Sequence, residues 1–175
     1  PAIINAHVHT CYEKFTKAEG ESLPENCTPE NLLDHMQREA FYGVGTVNDG
    51  GSAPVPMSLQ FQEDQVARKL APAATYVFNA GIVPPNGGPD GILIKGTRPL
   101  RANYEVIRAP EGRAAVQDVS AKGVPHIKLW FGDRGGSYPA MPHEVYDAVI
   151  DEAHKHNIRV HVHATTLREI GRAHV

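Results

Sequence analysis

The stretch "IINAHVHT" (residues 3–10) begins with apolar, β-branched residues and ends in two histidines that are one residue apart. A short apolar run of this kind is typical of a buried β-strand, so we predict a strand over residues 3–9. Side chains alternate along a strand, and His7 and His9 would therefore point to the same face. The pair is either the start of a metal site or two histidines that merely lie on a strand.

The residues that follow predict a helix after a long polar loop. Thr28 can cap a helix N-terminus, and Pro29 suits the first helical position. Apolar residues then recur at helical spacing until Gly43 ends the pattern. A strand, a loop and a helix thus form the first part of the chain.

The same alternation continues along the rest of the sequence. The further predicted elements are a strand at 44–49, a helix at 58–70, a strand at 75–83, a helix at 112–122, a strand at 126–131, a helix at 142–156 and a strand at 158–163. Strands that alternate with helices indicate parallel β-α-β units, in a doubly wound sheet or in a (β/α)8 barrel. The predicted fold class is α/β.

Composition limits the kinds of partner. The chain has 175 residues, enough for one domain with a core, and its hydrophobic and charged fractions of 41% and 21% are ordinary for a globular protein. Its net charge is -3, and it has no basic block and no apolar run near the roughly 20 residues that span a bilayer. We therefore expect a small-molecule substrate, and neither a nucleic-acid partner nor a membrane partner.

Cysteine usage and the start of the chain bear on the compartment. Cys11 and Cys27 are the only cysteines, and neither belongs to a C-x-x-C pair. Such a low count favours two free thiols, although both residues fall in one predicted loop and could pair there. The chain begins at Pro1 without a methionine or a signal peptide, so we expect residues to be missing upstream and take a cytoplasmic location as the default.

Candidate site residues lie where the predicted strands end. In both candidate folds the carboxyl ends of parallel strands face the ligand. Besides the first histidine pair, the chemically interesting residues at these positions are Asp49, Lys128, His161 and His163. His161 and His163 share a face for the same reason as the first pair, so two imidazole pairs could converge on one pocket.

Lys128 is the residue that changes the interpretation. Neutral imidazole is a common ligand of zinc and other divalent metals, whereas a cationic lysine beside such ligands would be repelled and desolvated. A carbamate, formed from the lysine amine and carbon dioxide, would convert that cation into a bridging carboxylate. The alternative is a lysine that reaches from the strand end to solvent.

Three other residues keep a structural interpretation beside the functional one. Asp49 would either contact a substrate or shape the turn before Gly50 and Gly51, and the sequence does not favour one role over the other. His161 fits a hydrogen-bonded histidine of the barrel interior better than a metal ligand. His126 shares a face with the lysine, and a packed or hydrogen-bonded role is expected for it.

Four motifs together resemble the amidohydrolase superfamily of metal-dependent hydrolases, which are distorted (β/α)8 barrels. The motifs are "INAHVHT" at 4–10, "GVGTVNDGG" at 43–51, "GVPHIKLW" at 123–130 and "HNIRVHVHAT" at 156–165. Each motif is weak alone, and their order and spacing carry the resemblance. The sequence is most similar to the branch that contains imidazolonepropionase-like enzymes and Xaa-Pro dipeptidases.

The resemblance implies a binuclear metal site. His7 and His9 would bind one metal ion, and His163 would bind the second. Lys128, as its carbamate, would bridge the two ions, and His161 would support the ligands. The ions would be divalent, with zinc as the first choice, and about 3.5 to 4 Å apart.

The implied reaction is hydrolysis of a C–N bond in an amide, a peptide or a cyclic amide, in which a metal-bridged hydroxide attacks the carbonyl carbon. In the family a strand-six histidine completes the ligand set. A strand-eight aspartate is both a ligand and the general acid and base. The sequence contains neither strand, so it assigns no catalytic residue.

The chain is expected to be a fragment. A (β/α)8 barrel typically has about 250 residues, so residues 1–168 would be the first five β-α units of a truncated barrel. Residues 169–175, "EIGRAHV", match the translation of a sequencing-adapter start, GAG ATC GGA AGA GCA CAC GTC, and we interpret them as adapter read-through in a metagenomic assembly. The parent protein, which could be a homo-oligomer, would be active and the fragment inactive.

Three other functions stay open from the sequence. A mononuclear metal deaminase on the same barrel would not need Lys128. A non-catalytic scaffold relative would have lost its ligands, and the presence of all three visible ligand types argues against it. A phosphoesterase barrel with an H-x-H start would leave the lysine without a role.

Overall fold

A computed structural model of the chain describes residues 2–14, 21–92, 101–167 and 170. The tail at 169–175 that we interpret as adapter read-through lies outside the described residues, apart from residue 170. The strands in the described part are β1 (Ile3–Val8), β2 (Glu13–Lys14), β3 (Glu21–Ser22), β4 (Val44–Asp49), β5 (Thr75–Phe78), β6 (Ala80–Val83), β7 (Tyr104–Glu105), β8 (His126–Trp130) and β9 (Arg159–His163). The α-helices are α1 (Pro29–Phe41), α2 (Val55–Val66), α3 (Gly88–Ile92), α4 (Ala109–Ala121) and α5 (His143–Lys155).

All the strands and helices of the sequence prediction are present. α1 begins where predicted, since the Thr28 side chain accepts a hydrogen bond from the backbone N–H of Asn31 at 3.2 Å. α2 begins at Val55 rather than at residue 58, because a proline in its first turn fits helical geometry. The third predicted strand is interrupted at Asn79 and forms β5 and β6.

The chain divides into two compact units, and the first comprises Pro1–Phe78 and Ile92–Ala102. Its main sheet has three parallel strands in the order β1-β4-β5. α1 packs against β4, and α2 packs against β5. The core of this unit includes Leu32, Met36 and Val47, which are fully buried.

β1 is more exposed than the sequence predicted. Ile3 and Ile4 are 62% and 68% exposed, so the expectation of a buried strand over residues 3–9 was wrong. Among the described residues, β1 pairs with β4 and has no strand along its other edge. Its apolar side chains therefore lack a covering layer, although their pattern is that of a buried strand.

The second unit comprises Asn79–Gly91 and Asn103–Val175. Its sheet has parallel strands in the order β7-β6-β8-β9. α4 and α5 pack against each other, α4 contacts β6, and α5 contacts β9. Ile127, Leu129 and Val149 are fully buried in the core of this unit.

The strand order within each sheet agrees with a barrel. In each sheet the main strands lie side by side in the order in which they occur in the chain. A (β/α)8 barrel has this sequential order of parallel strands. The chain has the α/β fold of the first five β-α units of a barrel, and neither sheet closes on itself among the described residues.

In the described part of the chain, no α-helix combines the length and the apolar character that crossing a membrane requires.

The loop after β1 is fastened by a disulfide bond between Cys11 and Cys27. The expectation of two free thiols was therefore wrong, because the fold brings together two residues that are 16 positions apart. The Asn31 side-chain amide also donates to the carbonyl oxygens of Cys11 and Glu13, both at 2.7 Å. Disulfides are typical of oxidising compartments, and the cytoplasmic location stays a prediction.

Removal of the disulfide is expected to destabilise the chain. The double variant Cys11→Ser, Cys27→Ser should lose about 3 kcal/mol of unfolding free energy, the value for a cross-link that closes a loop of about 15 residues. Denaturant unfolding of the oxidised chain and of the double variant measures the difference. A reducing agent should destabilise only the wild type, and equal stability of the oxidised wild type and the variant would contradict the prediction.

Candidate metal centre

His7 and His9 lie side by side at the carboxyl end of β1. Their ring centroids are 5.3 Å apart, and the rings meet edge to face at 71°. Both side chains are exposed rather than packed in the core. The strand end thus presents two imidazoles together, as the alternation of side chains predicted.

Gly50, the residue directly after β4, makes room for both rings. A Cβ atom at this position would lie 3.0 Å from Cε1 of His9 and 3.1 Å from Nε2 of His7. Both distances are shorter than ordinary carbon contacts, so the rings occupy the space that a side chain would need. A glycine at a strand end is a common sign of such a close approach.

Asp49 is buried and holds the turn after β4. Its side chain is 0% exposed, and Oδ1 accepts hydrogen bonds from the backbone N–H and the hydroxyl of Ser52, both at 2.8 Å. Oδ2 accepts hydrogen bonds from the hydroxyl of Thr10 and, at 3.4 Å, from the hydroxyl of Tyr76. These bonds give Asp49 the turn-shaping role of the two that the sequence left open, and contact with a substrate stays a prediction.

Thr10, Ser52 and Tyr76 belong to this strand end, and the sequence did not single them out. Burial, followed by the charge of Asp49, raises the pKa of Tyr76 well above its usual value. Ser52 had a local signal, because aspartate side chains commonly bond backbone groups of a following turn. The other two had none, because pairing of β1, β4 and β5 brings them to Asp49.

In the second unit, the other predicted ligands lie on one face of the sheet. Lys128 in β8 is the register partner of His161 in β9, and Trp130 is the register partner of His163. Strand alternation places these four side chains on the same face, whereas the buried Leu129 between them points to the other.

Lys128 is buried, with 3% of its surface exposed. The alternative of a lysine that reaches solvent was therefore wrong. Its Nζ lies 5.4 Å from the centre of the Trp130 ring, within range of a cation–π contact. This contact suits the unmodified ammonium ion, and the carbamate stays a prediction.

His126 and His161 form a second histidine pair within this unit, with ring centroids 5.6 Å apart. Burial, followed by the charge of Arg159, lowers the pKa of His126. Its Nδ1 is buried without a hydrogen-bond partner. Of the packed role and the hydrogen-bonded role that we expected for His126, the structure therefore favours the packed role. His163 is the more exposed member of its own pair, and its role as a ligand stays a prediction.

The donor chemistry of both units suits a divalent metal, but neither unit alone supplies a complete ligand set. The first unit offers two adjacent imidazoles, and the second offers histidines beside a buried lysine. Within the described residues, no group of three or more His, Cys, Asp or Glu side chains could hold a metal ion. The ligand set of His7, His9, Lys128 and His163 therefore remains a prediction, as do two zinc ions.

Solved structures of several enzymes resemble this chain. A Xaa-Pro dipeptidase with bound methionine in the active site matches with a TM-score of 0.76 at 22% identity, over 99% of this chain and 45% of that chain. An amidohydrolase matches with a TM-score of 0.67 at 20% identity, and the A. niger ochratoxinase with 0.68 at 15%, each over 99% of this chain and 45% of the other. The chain has the fold of these proteins.

The likeness confirms the predicted fold, an α/β chain that corresponds to part of a (β/α)8 barrel. The chain spans about 45% of the length of these three proteins. No protein-family model and no curated protein matches the sequence.

Filling the space at residue 50 is expected to separate the two histidine rings. In Gly50→Ala the new Cβ would lie 3.0 and 3.1 Å from atoms of His9 and His7, so both rings must move. Nuclear Overhauser contacts between the rings of the 175-residue chain measure the change, and we expect them to be lost.

Gly123→Ala is the matched control for this variant. Its backbone φ is 73°, which makes alanine costly there, but its Cβ would meet nothing within 4 Å. This control should lower stability and keep the contacts between the histidine rings. Ring contacts that persist unchanged in Gly50→Ala would show that the glycine does not create the space for the pair.

Proposed function

We propose that this chain is part of a metal-dependent hydrolase that cleaves a C–N bond in an amide, a peptide or a cyclic amide. The observation that carries the proposal is the pair of His7 and His9 over Gly50 at the carboxyl end of β1. Strand ends are where barrels of this kind place their catalytic groups. The fold supports the proposal, since similar structures include a dipeptidase and an amidohydrolase.

The proposed ligands come from the ends of three strands. His7 and His9 would hold one divalent ion, and His163 would hold a second. Lys128, as a carbamate, would supply oxygen donors to both ions. Its burial supports this role, because a buried cation costs free energy and carboxylation replaces it with an anion that has two oxygen donors.

The residues of this chain prepare the ligands. When bound, two divalent ions, with zinc as the first choice, polarise the scissile carbonyl group and activate water for attack. Gly50 leaves the two rings the space that they share. Trp130, which is 5% exposed, lies beside Lys128 and shields that side chain from bulk water.

The general acid and base, in this proposal, belongs to the part of the protein that this chain does not span. The 175-residue chain is then inactive alone, and the complete protein is active. Dipeptides with proline as the second residue are the first small-molecule substrates to test, because a Xaa-Pro dipeptidase is among the similar structures. A mononuclear deaminase is less well supported, since it would leave the buried Lys128 without a role.

Zinc binding by the 175-residue chain tests the ligand pair. His7→Asn and His9→Asn should each weaken zinc binding by more than about tenfold, because even residues that only support a ligand cause losses of this size. Isothermal titration measures the affinity. His143→Asn is the control, since this histidine lies exposed on α5 and should not alter binding. Failure of the wild type to bind zinc, or an equal loss in His143→Asn, would contradict the ligand assignment.

The carbamate has a separate spectroscopic test. Addition of ¹³C-bicarbonate and zinc to the chain should produce a carbamate carbon resonance in the ¹³C NMR spectrum. Lys128→Arg should abolish this resonance, because a guanidinium group forms no carbamate. Lys122→Arg is the control at an exposed lysine. A spectrum without the resonance in the wild type, or with it in Lys128→Arg, would remove the bridging role.

A further inference from the structure

Hydrogen bonds join the turn after β4 to the backbone on both sides of His9. On one side, the Gly50 N–H donates to the carbonyl oxygen of Val8 at 2.7 Å. On the other side, the Thr10 N–H donates to the hydroxyl oxygen of Ser52 at 2.8 Å. The histidine therefore lies between two points of attachment to the same turn.

Asp49 lies at the centre of this group of hydrogen bonds. It accepts from the hydroxyl of Thr10 and from the hydroxyl and backbone N–H of Ser52. It is also the register partner of Val8 in the parallel pairing of β1 and β4. The carboxylate thus joins the residue after His9 to the turn that receives both histidine rings.

We infer that Asp49 is a positioning residue, which acts through Thr10 and Ser52 to hold His9 beside His7 in the orientation that metal binding needs. This inference rests on the proposed function of the two histidines as ligands. It assigns Asp49 neither metal contact nor substrate contact. Supporting bonds of this kind fix the direction of a ligand and are typical of metal sites.

The chemistry of the partners explains why a carboxylate occupies this position. Thr10, Ser52 and Tyr76 each present an N–H or O–H group to Asp49, and a carboxylate has only acceptor sites. An asparagine would direct its NH₂ group at one of these donors. The shape of the side chain would be retained, but one buried hydrogen bond would be lost and one donor would face another.

Two buried serines allow an effect on the position of His9 to be distinguished from an effect on the stability of the chain. Ser52 and Ser58 are both 0% exposed, and each hydroxyl takes part in the hydrogen bonds around Tyr76 and Asp49. The hydroxyl of Ser52 contacts the backbone of Thr10, whereas that of Ser58 contacts the Tyr76 hydroxyl at 3.1 Å. Loss of either hydroxyl costs a buried hydrogen bond, but only Ser52 touches the segment that carries His9.

The experiment compares Ser52→Ala with Ser58→Ala in the 175-residue chain. Cobalt(II) titration, followed by its visible absorption, measures metal affinity. Ser52→Ala and Asp49→Asn should each weaken cobalt binding by about tenfold, the lower end of the loss seen for residues that support metal ligands. Ser58→Ala should bind within about twofold of the wild type. Denaturant unfolding shows whether the two serine variants lose similar stability.

A substitution at Thr10 provides a rescue test. Thr10→Val removes the hydroxyl that Asp49 accepts and keeps the shape of the side chain, so it should weaken cobalt binding as Ser52→Ala does. Thr10→Ser keeps the hydroxyl and should restore binding close to the wild-type value. If the Thr10 hydroxyl had only a structural role, Thr10→Val and Thr10→Ser would bind cobalt equally well when measured under conditions in which both are fully folded.

The contacts between the His7 and His9 rings give a second readout that needs no metal. Nuclear Overhauser contacts between them should be lost in Ser52→Ala and kept in Ser58→Ala. If the wild type binds no cobalt but the ring contacts respond in this way, the metal site fails and the positioning role stands. If Ser52→Ala keeps both the ring contacts and the wild-type cobalt affinity, the positioning role is overturned and the metal site stands.

Discussion

A buried carboxylate must be surrounded by donors, and this requirement shapes the end of β1. The donors to Asp49 come from three segments that are distant in sequence: the loop after β1, the turn after β4, and β5. Their hydrogen bonds offset the cost of removing the charge from water, so the three segments are fixed at one place. His7 and His9 lie at the same strand end. The hydrogen bonds that the buried charge needs therefore also fix the backbone that carries these two histidines.

The second unit has a buried charge of the opposite sign. Lys128 lies on β8 beside the Trp130 ring, and its register partner on β9 is His161. A buried amine on a histidine-rich sheet face is unusual for a core, because lysine is mostly exposed in proteins. Carboxylation of Lys128 stays a prediction. The two units thus differ in chemistry: the first presents two adjacent imidazoles, and the second presents a buried lysine.

Local patterns in the sequence predicted most of the fold. The cap at Thr28, the alternation of strands with helices and the shared face of His7 and His9 all follow from local residue patterns. Tertiary properties were not accessible in this way. The pairing of Cys11 with Cys27 and the exposure of β1 depend on which segments lie beside them, and no spacing rule reports that. The donors around the buried carboxylate were missed for the same reason, because they come from separate strands.

We propose that the two histidines at the end of β1 are metal ligands held in place by the turn after β4. Anomalous diffraction at the zinc absorption edge, from crystals of the protein grown with zinc, tests this proposal most directly. We expect a peak about 2.0 to 2.1 Å from a ring nitrogen of His7 and from one of His9. Ordered zinc at other positions, with no peak between these two rings, would contradict the proposal.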